Sequence, residues 1–229
     1  MWILSLETST DLGSCALWHD GQVVERICPA GRPHSETLLP LVRELLAEAG
    51  IGVAGLAGIA FGVGPGAFTG LRVACGAAQG LAVAADLPLL PVTSLETLAA
   101  ASGAGRVLAL LDARMGEVYA GRYRRTGDDE WRLDGEIRVA APADVELPLD
   151  EGWLACGNAP AAYPALAARL EAAGLAVQPA LPMAATVARL AALRAARGEG
   201  IDPALAAPLY VRDKVAKTVA ERLSEGGRA

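Results

Sequence analysis

Residues 7–11 read ETSTD, so Glu7 and Asp11 bracket three hydroxyls, Thr8, Ser9 and Thr10. Two other stretches could carry chemistry: the glycine-rich GVGPGAFTG at 62–70 and DARMGEVY at 112–119, which opens on Asp112. A glycine-rich turn running into a helix suits an anion, because the first-turn N–H groups of a helix lack internal partners. The lysine-bearing version of that loop requires G-x-x-x-x-G-K-[ST], and the first lysine in this chain is Lys214. The dinucleotide fingerprint is met in name by Gly62, Gly64 and Ala67. Pro65 interrupts it, however, and the acid expected after the following strand is missing, Asp86 falling before that strand. Two-metal hydrolysis would need converging carboxylates; Glu7, Asp11 and Asp112 are candidates, but they divide between two distant segments. His19 and His34 have no partner at ligand spacing, and Cys15, Cys28, Cys75 and Cys156 form no C-x-x-C pair. No metal site is expected, and no G-x-S-x-G elbow offers a serine nucleophile.

The elements that must hold these groups follow from periodicity and turn residues. Strands are expected at 2–7, 14–18 and 22–27, with a hairpin turn at Asp20-Gly21, so the chain opens with an antiparallel meander. A helix from a Thr37 cap to Ala49 follows, with Pro40 in its first turn, then a strand at 58–62 and a helix from about Thr69 to Ala85. A strand at 89–92 and a helix at 94–101 complete a βββαβαβα half, the order of a ribonuclease-H-like layer. The second half begins again: VLALLD at 107–112 echoes ILSLE at 3–7, and both strands end in a carboxylate. Strands at 117–124, 131–139 and 153–156 and helices at 161–173 and 183–197 follow. The expected architecture is α/β and actin-like, two ribonuclease-H-like halves with the second truncated: an N-terminal lobe at 1–103 and a smaller C-terminal lobe with a tail at 104–229.

In that architecture Glu7, Thr8 and Ser9 stand where actin-like ATPases place an acid and a phosphate turn, with Gly64 and Gly66 nearby and Asp112 across the cleft. These six are the candidate vestigial nucleotide contacts. The second phosphate loop, usually Asp followed by several glycines, is reduced to DARMGEVY with its single glycine. ATP hydrolysis by the chain alone is therefore not expected, and no cofactor of its own is assigned.

The two helices of the first half carry the other signal. Leu38, Leu41 and Leu45 form a broad apolar stripe with Leu39, Val42 and Leu46. Between Gly70 and Ala85 only Arg72 and Gln79 are polar, and Gly76 and Gly80 make a small-residue step that lets two helix backbones approach closely. Leu38, Leu41, Leu45, Leu71, Cys75, Gly76, Gln79 and Gly80 are the candidate partner interface. A net charge of −6 argues against a direct grip on a nucleic-acid backbone. The longest charge-free apolar run, Val73–Ala85, is shorter than the ~20 residues that span a bilayer, and the first residues lack a basic leader. A cytoplasmic protein is expected, with the tail beyond Val211 as a solvated helix.

Taken together, Glu7-Thr8-Ser9, His34-Ser35, GVGPGAFTGLRVACGAAQGLA (62–82), PVTSLETLA (91–99), DARMGEVY and PLYVRDKVAK (208–217) resemble the bacterial TsaB (YeaZ) family across the whole chain. Glu7 and Ala67 depart from that family's usual Asp and Ser. The resemblance implies a non-catalytic, pseudo-ATPase subunit in the synthesis of threonylcarbamoyladenosine, on the adenosine 3′ of the anticodon in tRNAs reading A-starting codons. It implies pairing with a catalytic TsaD subunit through the N-terminal half and association with the TsaE ATPase. ATP and metal would then lie on those partners, tRNA would be met only through the complex, and a homodimer could form on the same surface. The alternative class is a stand-alone nucleotide-binding actin-like ATPase or transferase.

Overall fold

The computed structural model describes residues 1–128 and 130–212. The meander is β1 (Trp2–Glu7), β2 (Ser14–His19) and β3 (Gln22–Ile27). Asp20 (φ 46°) and Gly21 (φ 86°) make its two-residue turn, the left-handed pair that an Asp-Gly hairpin demands. α1 (His34–Glu48), β4 (Gly58–Gly64), α2 (Phe68–Ala85) and β5 (Leu89–Thr93) follow, and the sheet order is β3-β2-β1-β4-β5 with β4 and β5 parallel to β1.

After α3 (Ser94–Ala101) a second sheet forms from β6 (Arg106–Arg114), β7 (Glu117–Gly127), β8 (Glu130–Leu133), β9 (Arg138–Ala140), β10 (Leu154–Gly157) and β11 (Ala176–Gln178). Its order, β8-β7-β6-β10-β11, repeats the first: an antiparallel meander whose leading strand pairs in parallel with the fourth. The fold is therefore a duplicated ribonuclease-H-like, actin-like α/β architecture. Residues 141–153 of the second copy contain no helix, so the counterpart of α1 is missing. The counterpart of α2 is short and split into α4 (Ala159–Ala162) and α5 (Pro164–Ala172), because Pro164 cannot continue a helix but can start one. The expected strand at 131–139 is likewise two pieces, separated by Gly135 at φ 92°.

Three expectations need correction. α1 starts at His34, after an extended Pro33, and Thr37 lies inside its first turn with its hydroxyl donating to the Pro33 carbonyl (3.1 Å). Pro40 consequently sits mid-helix, on the exposed face, where water can reach the Glu36 carbonyl that its missing N–H leaves free. α2, 18 residues long with mean hydropathy 1.2, is long and apolar enough to cross a membrane by length and composition, although its charge-free run is shorter. Here Ala74, Cys75, Ala78 and Ala82 of that helix pack into the core of the first sheet.

That sheet is covered on both faces. Leu4, Leu6, Ile59 and Phe61 meet α1 and α2, while Ile3, Ala60, Leu90 and Val92 meet α6 (Ala184–Ala196) through Val187, Leu190 and Ala191. α6 follows the second sheet in the chain but returns to the first. Ser14 Oγ accepts from the Ala184 amide (2.8 Å), Ser5 Oγ donates to the Ala184 carbonyl (2.7 Å), and Glu25 accepts from the Ala185 amide (2.8 Å). A break near residue 103 thus separates the sheets but not the helices that cover them. All four cysteines are free and buried, three in the first core and Cys156 in the second. The tail beyond Val211, expected as a solvated helix, falls almost wholly on residues 213–229, outside the described residues.

Candidate functional site

Two regions bring the singled-out residues together: a cleft between the sheets and the outer face of α1 and α2. The cleft begins where β1 ends. Glu7 is fully buried, its Oε1 accepting the Ser9 amide at 2.6 Å while Oε2 has no hydrogen-bond partner among the described residues. Burial pushes its pKa above the usual 4.5, with hydrogen bonding from Ser9 pulling the other way. Thr8 Oγ1 donates to the Gly70 carbonyl and the Ala67 amide donates to the Ser9 carbonyl, both at 2.7 Å. A Cβ at Gly70 would overlap the Thr8 carbonyl oxygen, and one at Gly66 the Ser9 carbonyl oxygen. The glycine-rich stretch therefore lets the start of α2 press, backbone on backbone, onto the turn after β1.

The facing wall is the end of β6. Asp112 Oδ1 accepts from the Arg114 amide (2.8 Å) and the Tyr163 hydroxyl (2.7 Å), and the Asp112 amide donates to Asn158 (2.9 Å). Arg114 pairs with Asp112 at 3.3 Å and reaches across to Asp11, bridging the two copies; those carboxylates hold its guanidinium above its ordinary pKa. Met115 and Gly116, at φ 53° and 77°, close the β6–β7 hairpin in a two-residue turn between Arg114 and Glu117. A tight hairpin stands where an ATPase would offer a loop of amides.

Between these walls lies a cleft of about 350 Å³. Its third side is a strap, residues 201–212, that sequence reasoning missed. Ile201 pairs with Leu89 at the edge of β5, Gln79 Nε2 donates to the carbonyls of Pro203 (2.9 Å) and Ala206 (3.1 Å), and the Leu209 amide donates to the Val63 carbonyl (2.7 Å). Arg72 donates to the Tyr210 hydroxyl (3.0 Å) and lies over the Phe68 ring. Arg212 then crosses to the second sheet, donating to the Ala113 carbonyl (3.2 Å) and to Glu117. Gly64 backs this strap, a Cβ there lying near the Leu209 carbonyl. The only legible hint was that Arg72 and Gln79 are the two polar residues on an otherwise apolar helix. Among the described residues, no group of three acidic, histidine or cysteine side chains could hold a metal ion.

The outer face of α1 and α2 corrects the sequence assignment. Leu38, Leu45 and Cys75 are at most 4% exposed and belong to the first core, and Leu71, 1% exposed, is buried against Gly64 beside the cleft, so a partner cannot reach them. Leu41 is half-buried against the same core, and Gln79 holds the strap. What faces outward is Leu39 (47% exposed), Pro40 and Arg43 on α1, with Gly76, Gly80 and Val83 (70%) on α2. A broad stripe of leucines does not say which edge the sheet takes; the outward edge here is the one carrying Arg43. Among the described residues, a Cβ at Gly76 or Gly80 would meet nothing within 4 Å.

The family model for TsaD, tRNA N6-adenosine threonylcarbamoyltransferase, matches residues 27–219. The tRNA threonylcarbamoyladenosine biosynthesis protein TsaB of Escherichia coli is 36% identical over 94% of this chain and 96% of its own length. The chain belongs to the TsaB (YeaZ) family. Among solved structures, YeaZ from Pseudomonas aeruginosa superposes with a TM-score of 0.81 at 39% identity, covering 91% of this chain and 99% of that one. An uncharacterised protein of Mycobacterium bovis is 34% identical over 95% of both chains. In this TsaB-family chain the stretches that carried the resemblance have definable structural jobs. Glu7-Thr8-Ser9 and GPGAFTG lock together, His34 Nε2 lies 3.0 Å from the Thr10 carbonyl and ties α1 to the same turn, and DARMGEVY forms the Arg114 bridge.

Proposed function

We propose that this chain is a non-catalytic scaffold of threonylcarbamoyladenosine synthesis on tRNA, pairing with a TsaD-like catalytic subunit through the outer face of α1 and α2. A TsaE-like ATPase joins them, tRNA is met through the assembly, and the chain works in the cytoplasm. The observation that carries the reading is the exposed pair Gly76 and Gly80, around which no atom of the described residues uses the space a side chain would fill. Each glycine costs about 0.5–1 kcal/mol relative to alanine inside a helix. Close approach by a second helix backbone accounts for that cost. The match to the TsaD model makes a paralogous subunit the natural occupant.

The cleft supports an absence of catalysis by this chain alone. The Ser9 amide is taken by Glu7 and the Arg114 amide by Asp112, so both turns spend on their own carboxylates a donor that a phosphate would need. The test is calorimetry of this chain with the TsaD-like protein of the same organism, with and without ATP, beside ATP turnover by the lone chain. Tight one-to-one binding without turnover is expected. Gly76→Leu should abolish pairing while circular dichroism and the urea midpoint stay near wild type, since the site is open. Wild-type association by that variant, or saturable ATP uptake and turnover by the lone chain, would overturn the reading.

A further inference from the structure

The docking face and the cleft are joined by one piece of chain. At about 100° per residue, Gln79, Arg72, Val83, Gly76 and Gly80 share one side of α2, with Gln79 and Arg72 at its edge. Both edge residues are spent on the strap: Gln79 on Pro203 and Ala206, Arg72 on Tyr210. Between those clamps Leu205 is 74% exposed, on a short turn (Pro203–Leu205) packed against α2. A helix seated closely on Gly76 and Gly80 borders that turn. Beyond it the same strap is pinned to β4 by Leu209, forms a cleft wall from Leu209 to Arg212, and ends on the β6–β7 hairpin. There Arg212 meets Ala113, Glu117 and the Met115 sulfur (3.4 Å). That hairpin also carries Arg114, whose ion pair with Asp11 bridges the two copies.

We propose that the strap at 201–212 adds Leu205, but not its far end at Arg212, to the docking surface and couples occupancy of α2 to the cleft and to the β6–β7 hairpin. This rests on the docking reading above. Coupling of this kind needs two sites and an element that both bias. The strap is that element: its hydrogen bonds to α2 come from two side chains, while at its far end Arg212 hydrogen-bonds the β6–β7 hairpin and Val211 packs against the second core.

Hydrogen–deuterium exchange on the full chain, alone and saturated with the TsaD-like subunit, tests it. Docking should slow exchange along α2 and, by about threefold or more, at Leu205–Val211 and at Ala113–Gly116. Arg212→Ala, away from the docking face, should leave partner affinity within about twofold and keep strap slowing, but abolish the response at Ala113–Gly116. Protection of α2 with an unchanged strap overturns the coupling and leaves the docking reading standing. A hairpin that still responds in Arg212→Ala also overturns the coupling. No protection along α2, despite binding, sinks the docking reading itself.

Discussion

β1 and β6 hold the same place in the two copies, and each carries an acid, last in β1 and two residues from the end of β6, that accepts the amide two residues ahead. Glu7 takes the Ser9 amide and Asp112 takes the Arg114 amide. There the likeness stops. Glu7 is sealed beneath the glycine-rich turn with no cation beside it, and burial raises its pKa. Asp112 meets Tyr163 and Arg114 at the rim of the cleft. The first copy has turned its strand-end acid into core; the second has turned it into a bridge. Duplicated topology preserves where a group sits, while the packing around it decides what that group can do.

The comparison can be broken most severely at Gly70. Gly70→Val puts a side chain into the Thr8 carbonyl, which is backbone and cannot swing aside, so a loss of about 3 kcal/mol or more is expected in urea unfolding. A shift below about 1 kcal/mol would mean that the contact yields and the close approach is not required.

Next comes Glu7→Gln. The folded-state pKa of Glu7 is raised, so the native state binds its proton more tightly than the unfolded chain does. Any stability this gives is present below the unfolded value near 4.5 and is lost as pH rises toward the folded pKa. The glutamine variant, which mimics the neutral acid, should match wild type near pH 4.5 and gain on it as pH rises. A gap independent of pH would show that Glu7 does not titrate on folding.

The smallest effect belongs to Arg114→Ala. Its guanidinium is mostly exposed, so no more than about 1 kcal/mol is expected, shrinking further in high salt. If Arg114→Ala cost more than the Glu7 variant gained, the bridge rather than the buried turn would be the stronger tie at the cleft.

Much of the fold was legible because local chemistry and global topology agree. Asp20-Gly21 dictated the hairpin and the echo of ILSLE in VLALLD the repeat, whereas the single helix expected at 161–173 is split at Pro164. The helix boundaries shifted where a proline entry outcompeted a hydroxyl cap, as Pro33 did Thr37. The candidate site was less legible. A leucine stripe reports that a helix is amphipathic but not which edge meets the sheet, so Leu38, Leu45, Leu71 and Cys75 read as anchors and proved to be buried. The strap was invisible because its partners lie far away in sequence: Gln79 with Pro203, Val63 with Leu209, Ala113 with Arg212. No local propensity encodes such pairings.

The four buried thiols have one further consequence. Burial lifts Cys15 to about 12 and Cys156 to about 11, and raises Cys28 and Cys75 as well, so little reactive thiolate exists in the folded chain at neutral pH. Three of the thiols sit in the first core and one in the second, with no disulfide among them. Alkylation rates at individual cysteines are therefore a built-in clock for opening of each core, read without adding a probe to either lobe.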